Sequence, residues 1–251
     1  MQRYFVNQSA VENRFTIQED DYHHIVRVMR MKEGDHLICV DPLKKSAVCL
    51  IVEITDEKVV AEVVKWDEGF SASELPIDVT IVSGLPKGDK LEWIIQKGTE
   101  LGANRFIPFI SARSVVKWDE KKGIKKVERW QKIAKEAAEQ SHRTSLPEVL
   151  SPQNIKSIIK NSENYDYKLI AYEEVARQGE SSVLSNTLAK MKQGQSLMIV
   201  FGPEGGLTEQ EVTLLKDNAF QSCGLGPRIL RTETAPLYTL SAVSYHFELM
   251  E

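Results

Sequence analysis

Hydrophobic positions along this chain change their rhythm near residue 70. Before it, short β-branched runs alternate with turns: Leu37–Val40 followed by Asp41-Pro42, then Ala47–Ile54 and Val59–Val64. Strand-length runs with this punctuation predict a small β-domain, with one helical segment at Asp21–Met31. Asp67–Pro76, containing Gly69, Ser71, Ser73 and Pro76, reads as a linker. Beyond it, apolar strand runs alternate with helical periodicity. Strands are predicted at Ile77–Val82, Phe106–Ile110, Leu169–Tyr172 and Leu197–Phe201, with Pro108 arguing for an edge or irregular position. Helices are predicted at Lys90–Leu101, ended by Gly102, and at Lys125–His142, Val183–Met191, Thr208–Asn218 and Leu237–Met250. Val127, Trp130, Ala134, Ala137 and Ser141 share one helical face, which assigns Trp130 to the core. Thr208 and Glu211 have capping-box spacing. The alternation predicts an α/β fold with a parallel sheet.

Length and composition add bounds. The 251 residues suffice for two domains, and 42% apolar content supports ordinary cores. No run approaches the ~18 apolar residues of a membrane helix, and Met1–Val6 lacks the apolar core of a secretory signal, so the cytoplasm is the expected location. Cys39, Cys49 and Cys223 are scattered and fit neither zinc spacing nor a disulfide framework; buried thiols are expected. His23-His24 has no carboxylate or cysteine at ligand spacing, so no metal is expected. The net charge of −4 argues against a broad polyanion-binding face, yet residues 84–145 hold 14 basic against 8 acidic residues. Such a patch can meet phosphates or be a solvated helix surface.

Familiar nucleotide fingerprints are missing. Gly84–Lys90 lacks phosphate-loop spacing and the Ser/Thr after Lys, and Gly224-Leu225-Gly226 has no third glycine at dinucleotide spacing. Two other elements stand out. Gly202-Pro203-Glu204-Gly205-Gly206 follows the buried run Leu197–Phe201, where open α/β sheets bind ligands. One helix later comes Leu225-Gly226-Pro227-Arg228-Ile229-Leu230-Arg231-Thr232-Glu233-Thr234-Ala235, pairing apolar walls with polar handles, as suits a cofactor with an aromatic base.

Together these two elements resemble the signature of the SPOUT superfamily of RNA methyltransferases, and more narrowly that of RsmE-type 16S rRNA (uracil-N3)-methyltransferases. Lys90-Leu91-Glu92, Gln96–Gly102, Ser114–Lys117, Glu136–Arg143 and His23–Arg30 match the same family, so the resemblance spans nearly the whole chain. It implies an N-terminal PUA-like RNA-binding β-barrel (1–70) and a C-terminal α/β SPOUT methyltransferase domain with a deep trefoil knot (71–251). It also implies a homodimer, with 16S rRNA of the assembled small subunit as substrate and no membrane association. S-adenosyl-L-methionine would lie against three loops, with Tyr172, Glu173, Gly202, Gly205, Gly206, Leu225, Gly226, Ile229, Leu230 and Thr234 as cofactor-binding candidates.

The implied chemistry sets roles. Uracil N3 is a poor nucleophile until its proton leaves, so a base or a cation stabilising the anion is required. Arg231 is the candidate for the cation. Glu204 and Glu233 are the candidate proton acceptors, with a structural ion pair to Arg231 as the alternative for Glu233. Thr232 and Thr234 would bond ligand or, alternatively, local backbone. RNA-contact candidates are His24, Arg27, Arg30, Arg113, Lys117, Gln140 and Arg143, with Trp118 able to stack a base. A valine at Gly206 is expected to crowd the loop and weaken cofactor binding. The competing readings are a non-catalytic RNA-binding module and a related enzyme acting on tRNA or another rRNA base.

Overall fold

The computed structural model describes residues 1–67, 73–115 and 120–250, with the side chains of residues 120–122 also outside the description. Residues 68–72, half of the expected linker, and Lys117 and Trp118 lie outside the described residues. Two compact units are present: Met1–Glu74 with Ala138–Leu146, and Leu75–Ala137 with Pro147–Glu251.

The first unit contains strands β1 (Arg3–Phe5), β2 (Arg14–Ile17), β3 (His36–Val40), β4 (Ser46–Ile54) and β5 (Val59–Trp66), in the sheet order β1-β3-β4-β5-β2. The pair β1–β3 is parallel; the other pairs are antiparallel. Alternate residues of the strands turn inward, so Phe15, Ile17, Leu37, Cys39, Cys49, Ile51, Val59 and Ala61 form one core with Tyr4 and Ile25. The predicted helical segment is helix α1 (Glu19–His23) running on as a π-helical turn over His24–Val28, two residues earlier than expected at its start. Strands β1 and β2, at three and four residues, escaped the periodicity.

The second unit contains strands β6 (Asp78–Gly84), β7 (Arg105–Phe109), β8 (Glu148–Val149), β9 (Tyr167–Ala171), β10 (Ser196–Phe201) and β11 (Gln221–Cys223). Its helices are α2 (Lys90–Glu100), α3 (Glu120–Gln140), α4 (Ile155–Asn161), α5 (Glu173–Arg177), α6 (Val183–Lys190), α7 (Glu209–Asp217) and α8 (Thr234–Ser244). The six strands are all parallel, in the order β11-β9-β10-β6-β7-β8. Burial on both faces explains why Leu197–Phe201 of β10 reads as an unbroken apolar run; β6 carries Thr80 and Ser83 buried among its apolar residues. Leu197, Ile199 and Phe201 face a core with Ile94, Trp130, Ala134, Leu240 and Val243. Met198 and Val200 face the opposite core with Ile107, Val212, Leu215 and Phe220. Trp130 is thus core, as its periodicity predicts.

Local rules account for the boundaries. Gly102 adopts φ +93 past the end of α2, and its N–H bonds the Thr99 carbonyl. Thr208 and Glu211 form the complete reciprocal capping box on α7. Pro108 is not on an edge strand, because β7 lies between β6 and β8. Its carbonyl faces the side of Gln153, beyond the two residues of β8, so its missing N–H costs no ladder bond there.

Candidate active site

Because every strand of the sheet runs the same way, the segments after β9, β10 and β11 emerge at one carboxyl edge. They enclose a cavity of about 360 Å³, within the range of about 300–1,000 Å³ typical of small-molecule sites. Tyr172 and Glu173 supply its wall after β9, Gly202–Leu207 its wall after β10, and Leu225, Gly226 and Arg228–Leu230 its wall after β11. Nine of the ten cofactor candidates line this cavity; Thr234 does not, being exposed in the first turn of α8, where its N–H bonds the Arg231 carbonyl.

Glycine is required where the walls are thinnest. A Cβ on Gly202 would fall 2.8 Å from the Gly206 carbonyl carbon and 2.9 Å from the Leu207 nitrogen. A Cβ on Gly84, at the end of β6, would fall 2.4 Å from the Pro203 nitrogen. Gly206 differs: its surroundings are open, with nearest atom Arg113 Nη1 at 4.0 Å, but its φ is +70. Its need for glycine is conformational, so the expected crowding belongs to Gly202 instead.

Side chains hold these loops from behind. Arg113, expected on RNA, donates from Nη1 to the Gly205 and Leu207 carbonyls at 2.9 and 3.3 Å and lines the cavity. Glu211 is buried and accepts from the Ala112 N–H at 2.8 Å as well as from Thr208, tying the segment before Arg113 to α7. Glu180 accepts from the N–H groups of Gly224, Ser182 and Val183 at 2.6, 2.6 and 2.7 Å. Burial pushes the Glu180 carboxyl up, but these backbone donors outweigh it and hold it below the usual glutamate range.

The expected acid–base residues are arranged differently from a Glu233–Arg231 pair. The Lys90 ammonium lies 3.0 Å from Glu204 Oε1 and 3.4 Å from Glu233 Oε2. The Lys87 N–H also donates to Glu204 Oε1 at 3.1 Å. Partial burial pushes the Glu204 carboxyl up, but its backbone N–H, Lys90 and the Lys87 N–H together hold it low. A carboxylate held low is a weak base. Hydrogen bonding to Glu204 raises the Lys90 ammonium against its own desolvation, and Glu233 adds to the rise. Arg231 is exposed, and among the described residues its guanidinium has no hydrogen bond or ion pair; only its carbonyl is engaged, by Thr234 and Ala235.

The remaining RNA candidates separate by exposure. Arg27, Arg30 and Gln140 are exposed. His24 is half-buried, with Nδ1 3.0 Å from the Tyr4 hydroxyl. Arg143 is 1% exposed, and its Nη2 lies 2.6 Å from Glu74 Oε2. Its role is internal: Glu74 also accepts from the N–H groups of Thr144 and Ser145, and the Arg143 carbonyl accepts from Arg3. Among the described residues no group of three or more His, Cys, Asp and Glu is placed to hold a metal ion, and no helix is long and apolar enough to cross a membrane.

A family model for an RNA methyltransferase domain matches residues 73–244, and one for an RNA methyltransferase PUA domain matches residues 17–64. Fold and site together therefore define an RNA methyltransferase: a parallel-sheet catalytic domain joined to a PUA-like domain. The ribosomal RNA small subunit methyltransferase E of Bacillus subtilis is 53% identical over 254 aligned residues, covering 100% of this chain and 98% of that one. Its namesake from Synechocystis sp. is 30% identical, covering 94% of this chain and 75% of that one. The crystal structure of ribosomal RNA small subunit methyltransferase E from Neisseria gonorrhoeae, bound to S-adenosyl methionine, superposes with a TM-score of 0.83 at 26% identity, covering 97% of each chain. The chain belongs to the ribosomal RNA small subunit methyltransferase E family, as its motifs predict.

Lys90 and Glu180 were missed as site residues by sequence reasoning. A lysine at the first position of a helix opposes the helix dipole, and that mismatch was a legible signal for Lys90. Glu180 gave none, since Gly179–Ser182 reads as an ordinary helix entry.

Proposed function

We propose that the protein transfers a methyl group from S-adenosyl-L-methionine to N3 of one uridine in 16S rRNA of the assembled small ribosomal subunit. The observation that carries this reading is the three-loop cavity at the carboxyl edge of the sheet. Its dimensions, its apolar wall of Leu225, Ile229 and Leu230, and the side-chain-free face at Gly202 and Gly206 fit this cofactor. Tyr172, Glu173, Gly202, Gly205, Gly206, Leu225, Gly226, Ile229 and Leu230 would hold it. When bound, it supplies a methyl group activated on a sulfonium.

The protein's own task is alignment of nucleophile and methyl, which is mainly positional. The Arg231 guanidinium, without a partner among the described residues, can stabilise the uracil anion formed as the N3 proton leaves, and it cannot itself accept that proton. Glu204, held low by its own backbone N–H, Lys90 and the Lys87 N–H, is disfavoured as proton acceptor, which leaves Glu233 as the carboxylate to take the N3 proton.

Several finer features belong to the same reading. The division of labour falls near residue 70, with a PUA-like RNA-binding domain before it and the SPOUT methyltransferase domain after it. Strand β10 lies between β6 and β9, both earlier in the chain; a segment filling a gap between strands already laid supports a trefoil-knotted passage. Tyr238, Tyr245 and Leu249 are exposed on one side of α8 and the π-helical turn after it, which supports a homodimer through this face. Exposed Arg27 and Arg30 support RNA contact by the first unit. A ribosomal substrate would place the protein in the cytoplasm.

The test is methyl transfer from labelled S-adenosyl-L-methionine to small subunits from a strain lacking the equivalent enzyme, with naked 16S rRNA and tRNA in parallel. Label confined to small subunits supports the reading. Label in tRNA would move the substrate, and no label from a protein shown to be intact would favour a non-catalytic RNA-binding module.

A further inference from the structure

We infer that Lys90 is a positioning residue that fixes the spacing between the cofactor loop Gly202–Gly206 and the segment Arg231–Glu233. The inference rests on the methyl-transfer reading of the site. Its basis is a three-way contact between segments far apart in sequence. The ammonium of Lys90, at the start of α2, reaches Glu204 at 3.0 Å in one loop and Glu233 at 3.4 Å in the other. Glu233 Oε2 is shielded from solvent and takes no hydrogen bond among the described residues, so the Lys90 ammonium is the charge it faces. The β6–α2 segment holds the Gly202–Gly206 loop at two further points, since the Lys87 N–H bonds Glu204 and Gly84 packs against Pro203, so Lys90 carries the tie to Glu233.

Helix stability does not explain a lysine here. Either carboxylate would suit the first turn of α2 better than a cation does. What the ammonium achieves is the approach of two carboxylates from separate loops, which repel without it. One of these loops lines the cofactor cavity; the other presents Arg231. Displacement of about 1 Å between such groups is enough to cost roughly 100-fold in rate, so a fixed spacing matters to turnover more than to cofactor affinity.

The test uses the full-length protein with Lys90→Met and Lys90→Arg. Amide hydrogen exchange without ligand reads the clamp directly. Three reporters are available: the Gly206 N–H bonded to the Pro203 carbonyl, and the Thr234 and Ala235 N–H groups bonded to the Arg231 carbonyl. Lys90→Met should speed exchange at all three together, and Lys90→Arg should restore it. In single-turnover methylation at saturating cofactor, Lys90→Met should fall by about tenfold or more, with cofactor affinity by calorimetry within about threefold of wild type and recovery in Lys90→Arg. Glu204→Gln should add little in the Lys90→Met background, as members of one unit do. Unchanged exchange, faster exchange in one loop only, or failure of arginine to restore it would overturn the inference. An inactive wild type with the expected exchange pattern would instead sink the methyl-transfer reading and leave the clamp standing.

Discussion

Adding one methyl group at Gly202 should weaken cofactor binding more than adding one at Gly206. The Gly202→Ala Cβ would lie 2.8, 2.9 and 3.0 Å from the Gly206 carbonyl carbon, the Leu207 nitrogen and the Gly206 Cα. Carbon contacts settle at about 3.5–4.0 Å, so the loop must open by roughly 0.5–1 Å. All three opposing atoms are backbone, and none can rotate aside. Overpacking of this kind costs about 1–3 kcal/mol. If the whole cost appears in binding, affinity falls roughly 5- to 150-fold. At Gly206 the added methyl meets open space, and the cost is that of alanine at φ +70, about 1–2 kcal/mol. Part of that cost falls on the free protein, so the affinity change should be smaller. Isothermal calorimetry with S-adenosyl-L-methionine, alongside thermal unfolding without ligand, separates the two. Gly202→Ala binding within twofold of wild type, in a folded protein, would refute the steric account of this loop.

Other expectations follow from the same geometry. Arg231→Ala should lose turnover and keep cofactor affinity, since its guanidinium is exposed and unpaired among the described residues; near-wild-type single-turnover methylation would contradict that role. Glu180→Gln should lower stability at neutral pH. The folded pKa of Glu180 is depressed, so its stabilisation is present above the unfolded value of about 4.3 and is lost as pH falls through the folded pKa; a wild-type–variant difference in unfolding midpoint that persists in strong acid would refute this. Arg143→Met should destabilise the first unit by about 3 kcal/mol, because it strands the Glu74 carboxylate, and denaturant unfolding should show it; an unchanged midpoint would return Arg143 to the surface-contact reading.

What was legible follows from element length and burial. Leu197–Phe201 and the α3 face of Trp130, Ala134 and Ala137 repeat long enough for periodicity to emerge, and the capping box names its own position at Thr208. Strands of two to four residues, such as β1, β8 and β11, carry too few alternations to register. At the site, glycine-rich loops announced a close backbone approach, and the resemblance named their ligand. Sequence could not tell crowding at Gly202 from conformational need at Gly206, because both are simply glycine until φ and neighbours are known. It likewise could not pair Lys90 with Glu204 and Glu233, which meet only once the sheet is assembled. Arg143 reads as an RNA contact because it follows the amphipathic helix and falls in a segment that carries the resemblance; its Glu74 partner lies 69 residues away.

The most direct test of the central claim is nucleoside mass spectrometry of 16S rRNA after treating unmodified small subunits with the protein and S-adenosyl-L-methionine. The account predicts N3-methyluridine at one position per 16S rRNA, formed by wild type and not by Arg231→Ala. A methyl group on another base, on a ribose hydroxyl or at many uridines would contradict it.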